Sequence, residues 1–234
     1  MVIVPRRQTS WPTTHRLILS QYPPIDLFDD VADPHDWELL AAAEALSNPR
    51  IYEEIGDLSL VPPHRRLSGE GASWVMAAFT HTSPDRQSRF SDGSYGIYYA
   101  GDSLETAFHE HASHMAREYR MTAQAPGWIS EVRQLIGTIE AELLDIHGNG
   151  FSDLLDKDDY TSAQLFGAAQ KANDENGILY PSQRRAGGSC IAALFPNVVT
   201  PPIQGGHYAY HWSGDTIDYI RRLGDAPETF EISL

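Results

Sequence analysis

Residues 89–110 read RFSDGSYGIYYAGDSLETAFHE, passing in one stretch from turn to strand to helix. Ser91-Asp92-Gly93-Ser94 is turn chemistry. A strand is expected over residues 95–100, where alternation puts Tyr95 and Tyr99 on one face and Tyr98 on the other. Asp102 with Glu105 makes a capping-box-like start, and Leu104, Ala107, Phe108, His111, Ala112, Met115 and Tyr119 recur at helical spacing, which predicts a helix over 103–120. Arg89, Tyr99 and Glu110 fall on the turn, the strand end and the helix in that order. Glu110 lies off the centre of the apolar stripe.

Working outward, residues 73–81 are apolar enough for a buried strand, and residues 128–136 and 139–146 read as two more, although Glu140-Ala141-Glu142-Leu143-Leu144 suits a helix equally. A helix is expected over 161–173, with Gly177 suiting its C-terminal region. Strands are expected over 178–180, leading into a Pro181-Ser182 loop, then over 189–195 and 207–212. Upstream, residues 1–13 read as a loose arm and 15–19 as a short strand. Asp33-Pro34 opens a helix over 35–46 that Asn48-Pro49 stops. Val61-Pro62-Pro63 then breaks the chain, dividing it into an extension over 1–60, partly helical and packed on the core, and a catalytic domain over 61–234. Strands and helices interleave without regular βα alternation, and Gly69-Glu70-Gly71 lacks the third glycine of a dinucleotide-binding turn, so a Rossmann fold is disfavoured.

Acidic residues outnumber basic ones, 32 to 17, for a net charge of −15. A general affinity for nucleic acid or anionic lipid needs a positive field and is not expected. Cys190 is the one cysteine, which excludes an internal disulfide and a cysteine-rich zinc site and suits a reducing cytoplasm. No apolar run approaches the ~20 residues of a membrane span. The chain is expected to be soluble and unexported.

Against this acidic background, Arg65, Arg66, Arg89, Arg184 and Arg185 lie in segments rich in glycine and serine. Guanidinium groups bind phosphate oxygens bidentately, and small residues let backbone N–H groups approach the same anion. The second cluster, YPSQRRAGGSC at residues 180–190, adds Ser182 in a loop. No histidine base stands near it in sequence, so Ser182 is read as a hydrogen-bonding residue and not a nucleophile. His111, His114 and Glu118 form the alternative, a metal-dependent hydrolase, but Ser113 stands where a zincin motif needs histidine. A non-enzymatic anion- or protein-binding module is the other alternative.

The order Arg89, Tyr99, Glu110, Ser182, with Tyr95-Gly96-Ile97-Tyr98-Tyr99-Ala100, Thr106-Ala107-Phe108-His109-Glu110 and the GILYPSQR run at residues 177–184, resembles the RES family of bacterial toxins over residues 65–212. Many members carry Gly-Gly-Arg-Trp where this chain has Ser88-Arg89-Phe90-Ser91, so Arg65 or Arg66 is a second candidate for the family's arginine.

The resemblance implies an α+β, ADP-ribosyltransferase-like core of mixed or antiparallel sheets flanked by helices, and cleavage of the nicotinamide–ribose bond of NAD, with no metal. Phosphate, water or a protein receives the ADP-ribose. Arg89, Tyr99 and Glu110 are the implied catalytic residues. Glu110 faces the developing oxocarbenium ion and Tyr99 stacks on nicotinamide, while Arg65, Arg66, Tyr95, Ser182, Arg184 and Arg185 bind the dinucleotide. The resemblance further implies an Xre-type helix-turn-helix antitoxin that blocks the site, and it leaves open a homodimer within that complex and a protein target.

Overall fold

Gly127–Asp145 form one 19-residue strand where two shorter ones were expected. In the computed structural model, which describes residues 3–29, 33–48, 50–225 and 227–233, this strand is the axis of the sheet. In chain order the strands are β1 (Arg6–Leu19), β2 (Tyr98–Gly101), β3 (Gly127–Asp145), β4 (Gly177–Pro181), β5 (Ser189–Ala193), β6 (Ile203–Trp212), β7 (Ile217–Leu223) and β8 (Thr229–Glu231). The helices are α1 (Asp26–Asp29), α2 (Trp37–Glu44), α3 (Ile51–Ile55), α4 (Ser73–Thr80), α5 (Leu104–Arg120) and α6 (Thr161–Ala172). The sheet order is β1-β2-β5-β4-β3-β6-β7-β8, with β1 also paired to β3. The β3–β4 pair is parallel, and the other pairs are antiparallel. β1, β2, β5, β4 and β3 thus close into a hydrogen-bonded circuit, from which β6, β7 and β8 extend. This is the mixed, mostly antiparallel α+β architecture expected.

Residues 6–13 are no loose arm, and with residues 15–19, expected as a short strand, they belong to β1. They pair with β3 from Arg6↔Leu144 to Leu19↔Val132. Pro12, which argued against a strand, sits where the register shifts between Trp11 and Thr14, at an irregularity that needs no N–H from it. Opposite this point Gly137 keeps space open, since a Cβ there would stand 3.2 Å from the Thr14 hydroxyl.

Residues 73–80 also depart from expectation, forming α4 instead of a strand. Their run is apolar nearly all round, so period alone does not separate buried strand from buried helix. The buried members Ser73, Val75, Met76, Phe79 and Thr80 keep helical spacing. Gly177 begins β4; the left-handed residue after α6 is Asp174, at φ 57°. α2 starts at Trp37, while Asp33 closes a turn by accepting the His35 N–H at 2.9 Å. Pro49, the expected stop, and Met1 and Val2 of the arm lie outside the described residues. Strands β7 and β8 were not anticipated. No described helix is long and apolar enough to cross a membrane.

α5 follows its sequence signal closely. Ser103 is the N-cap, its hydroxyl accepting from Thr106 N at 3.2 Å, worth about 1 kcal/mol. Asp102, expected to cap, instead accepts from Ser189 N (2.8 Å) and the Thr106 hydroxyl (2.7 Å), tying the helix start to β5. Ala107, Phe108, Ala112, Met115 and Ala116 bury against Tyr208, Tyr210, Trp212 and Ile220. A separate core joins α2, α3 and α4 to β2, β4 and β5.

α6 meets the Arg89 turn at Gly167, where a Cβ would stand 2.1 Å from the Phe90 carbonyl oxygen. Gly167→Ala sets about 1 kcal/mol of helix propensity against a backbone clash that costs about 1–3 kcal/mol. The expected net result is a lower urea midpoint with unchanged m-value; a variant as stable as wild type refutes this packing.

Candidate active site

The cavity that gathers the chemistry opens where β1 and β2 part. They share one rung, His15↔Gly101. Beyond it the Tyr99 carbonyl accepts from Arg16 Nη1 at 3.0 Å, and the Arg16 guanidinium lies 4.6 Å from the Tyr98 ring centroid. The cavity has a volume of about 1770 Å³, and Arg16, Arg89, Tyr99, Glu110, His114 and Tyr160 are on its wall.

Glu110 projects from α5 beside the buried stripe and is held by the β4–β5 loop. Its Oε1 accepts from Ser182 Oγ at 2.6 Å and from Gln183 N at 3.0 Å. No hydrogen bond from the described residues reaches Oε2. Ser182 Oγ in turn accepts from the N–H groups of Arg184 (3.2 Å) and Arg185 (2.9 Å). Its proton is therefore directed at Glu110, so that Ser182 fixes the carboxylate.

Arg89 is buried and carried on the Ser88–Ser91 turn. Its Nη1 donates to the carbonyls of Leu154 (3.2 Å) and Asp156 (2.5 Å), and its guanidinium carbon lies 4.8 Å from the Tyr160 ring centroid. Tyr99 O–H pairs with Ser88 Oγ at 2.9 Å and accepts from Phe90 N at 3.1 Å. Burial pushes the Tyr99 phenol up to about 12, so it stays protonated. Tyr95 is not in the strand; its hydroxyl donates to the Phe90 carbonyl. The two tyrosines brace the arginine turn together, and Tyr95 is absent from the cavity wall.

The other arginines separate. Arg184 Nη2 donates to the Lys157 carbonyl at 3.2 Å, on the same loop that holds Arg89. Arg185 pairs with Glu105 at 2.6 Å instead of facing the cavity. Arg65 pairs with Asp174 at 2.9 Å and lies 4.4 Å from the Phe195 ring centroid. Arg66, with 1% of its side chain exposed, binds Glu38 and the carbonyls of Pro34, Leu58 and Val61. Both fasten the fold, and neither is on the wall. Sequence reasoning missed Arg16, Arg117 and Tyr160. Arg117, at i+7 from Glu110, shared its helix face and was legible by that spacing.

His114, one turn from Glu110, has its pKa lowered by burial, with Glu110 opposing and Arg184, Arg89 and Arg117 assisting. His111 points elsewhere: Nδ1 is 3.2 Å from Tyr210 O–H, so it does not join His114 and Glu118 in a ligand set. Among the described residues no group of three or more His, Cys, Asp or Glu is placed to hold a metal.

An α+β protein with a carboxylate fixed by a serine loop and guanidinium groups beside it is the class this geometry defines. The RES domain model matches residues 62–213, and the chain belongs to the RES domain family. The uncharacterized protein y4oC of Sinorhizobium fredii is 28% identical over 214 residues, 91% of this chain and 88% of its own. Among solved structures, the M. tuberculosis MbcT–MbcA toxin–antitoxin complex aligns over 89% of this chain and 87% of that one, at 12% identity and a TM-score of 0.44.

Burial, with His114 and Arg16 assisting, brings the His111 pKa down to about 3 from 6.5. Below the unfolded value the unfolded chain takes up a proton that the folded chain refuses. The stability is therefore complete above about 6.5 and is lost as pH falls toward about 3, by up to about 1.4 kcal/mol per pH unit. Urea unfolding from about pH 7 to about pH 5 should show this decline, and His111→Gln should flatten it. His15, His109 and His114, shifted the same way, leave a residual slope. An unchanged slope in the variant rejects the assignment.

Proposed function

We propose that this protein is the toxin of a bacterial toxin–antitoxin pair, and that it breaks the nicotinamide–ribose bond of NAD and passes ADP-ribose to an acceptor. The observation that carries this reading is the Glu110 carboxylate, held on one oxygen by Ser182 and Gln183 on the wall of a cavity that also presents Arg89. As the C1′–N bond breaks, nicotinamide leaves with the electron pair and positive charge grows on the ribose. A carboxylate already oriented by two donors stabilises that charge without reorganising, which is commonly worth a few kcal/mol of barrier.

The diphosphate is the ligand for the guanidinium groups. Arg89 Nε and Nη2 meet no acceptor among the described residues, and two loop carbonyls and the Tyr160 ring fix the group's plane. Arg16 adds a second cation from β1. Tyr99 acts mainly by locking the turn that carries Arg89. No step calls for a metal. Phosphate, water and a protein side chain each complete the reaction as acceptor, and an Xre-type antitoxin is the proposed inhibitor. The domain over 61–234 is the proposed catalytic unit, with the extension packed on it, and the cytoplasm is the proposed compartment.

Three variants test the roles by nicotinamide release from NAD with calorimetric NAD binding in parallel. Glu110→Gln, nearly isosteric, should bind NAD close to normally and release nicotinamide at least about a hundredfold more slowly. Ser182→Ala should slow release about tenfold or more by freeing the carboxylate, in line with about 1.5–3 kcal/mol for a hydrogen bond to a charged group. Arg89→Ala should weaken both binding and turnover, with partial rescue by Arg89→Lys. A fully active Glu110→Gln protein removes the carboxylate from the reaction. Activity lost with chelator and restored by zinc replaces this reading with a metal-dependent hydrolase.

A further inference from the structure

On α5, Glu110, His114 and Arg117 are spaced at i, i+4 and i+7, so the three share the face that looks onto the cavity. From Glu110 to Arg117 the helix rises roughly 10 Å. Among the described residues four arginines line that cavity, Arg16, Arg86, Arg89 and Arg117. Arg16 is committed to the Tyr99 carbonyl, and Arg86 is shared with a separate surface hollow that Asp57 and Asp85 also line. Arg117, exposed on α5, makes no ion pair among the described residues, although Glu118, Asp158 and Asp159 stand on the same wall.

What holds Arg117 is the ring of Tyr160. Its guanidinium carbon lies 5.9 Å from the ring centroid, and the Arg89 guanidinium carbon lies 4.8 Å from the same centroid. Tyr160 immediately precedes α6, and its carbonyl accepts an opening bond of the helix, from Gln164 N at 2.8 Å. α6 is in turn fixed to the Arg89 turn, because Gln164 Nε2 donates to the Ser88 carbonyl at 3.1 Å. The ring therefore has a set place beside an arginine of that turn and an arginine of α5. An aromatic face attracts a guanidinium without cancelling its charge, whereas a carboxylate partner would cancel it. Two like charges are thus kept on one ring and left free to meet an anion.

We propose that Arg117 is a further diphosphate-binding residue, and that Tyr160 is the positioning residue that joins it with Arg89 in one clamp. The inference rests on the NAD reading for the identity of the diphosphate. That group follows the nicotinamide ribose along the dinucleotide, as Arg117 follows Glu110 along α5. Of the carboxylates nearby, Asp159 is turned to the Thr161 N–H at 2.8 Å, while Asp158 and Glu118 remain as opposing charge. A single guanidinium set against them gives weak anion affinity. Two held on one ring give paired, planar contacts to the two phosphates.

The test uses the full chain, with inorganic pyrophosphate titrated by calorimetry and nicotinamide release followed against NAD concentration. Arg117→Ala should weaken pyrophosphate binding and raise KM for NAD about fivefold or more, with kcat within about twofold, as expected of a contact made equally in ground and transition states. Tyr160→Leu should raise KM at least as far, and Tyr160→Phe should stay within about twofold of wild type, since the ring holds the arginines and the hydroxyl does not. Adding Arg117→Ala to Tyr160→Leu should cost less than about twofold more, because the two side chains share one contact. Arg120→Ala removes the same charge from α5 at a surface pair with Asp215 and should leave both constants within about twofold. Unchanged constants in Arg117→Ala, equal losses in Arg117→Ala and Arg120→Ala, or full additivity of Arg117→Ala with Tyr160→Leu overturn the clamp. Wild-type nicotinamide release separates the two readings: pyrophosphate binding that Arg117→Ala weakens, without any release, keeps the clamp and rejects NAD, and release with a KM that neither variant moves does the reverse.

Discussion

β1 and β2 are joined by a single rung, His15 opposite Gly101, and the rest of the site depends on their going no further. β1 is committed along its length to β3, and β2 is committed to β5. Continued pairing between them would close the sheet where the cavity now lies. Stopping the ladder leaves β2 with a backbone carbonyl that has lost its strand partner, and an unpaired carbonyl in a buried setting costs about 1–3 kcal/mol. Arg16 meets that cost by donating to Tyr99 O, so the gap is stabilised by a cation that also faces into it.

The same economy governs the other charged groups. Glu110 is positioned by a helix whose apolar stripe is already seated on β6 and β7, so the carboxylate's direction follows from packing that it does not itself provide. Arg89 is positioned by a turn whose backbone is bonded by two tyrosine hydroxyls, and whose Phe90 carbonyl lies against a helix glycine that leaves no room for a methyl group. Each group is held by neighbours that have no part in chemistry, which is how a site keeps its geometry when a ligand arrives.

What the sequence disclosed and what it hid divide along physical lines. α5, α6 and the strands β4, β5 and β6 were legible because period, cap and turn residues agreed with the tertiary outcome. The first half of β1 was hidden by Pro12, whose penalty vanishes only because a bulge falls there, whereas residues 15–19 were legible as a strand. α4 was hidden because full burial erases period. Arg89, Tyr99, Glu110 and Ser182 were found through their order, and the structure brings them together, but the division of labour was not visible. Only the fold shows the Ser182 proton given to Glu110 and the Tyr99 hydroxyl given to a turn. Arg65 and Arg66 misled for the reason that makes arginine informative: a guanidinium that binds phosphate also binds carboxylate and carbonyl, and sequence does not say which it meets.

The anionic substrate proposed for this chain of net charge −15 looks contradictory only if affinity is taken from the whole charge. At physiological ionic strength the field of exposed charges fades over about 8 Å, so most of the acidic surface acts weakly at the cavity mouth. Inside, Arg16 and the buried Arg89 would meet such a ligand with little intervening solvent, where each contact is stronger. The acidic exterior would therefore do little to steer that proposed substrate in, and its capture would depend on the few fixed guanidinium groups. That arrangement suits a small ligand for which residence in the correct geometry matters more than the rate of encounter.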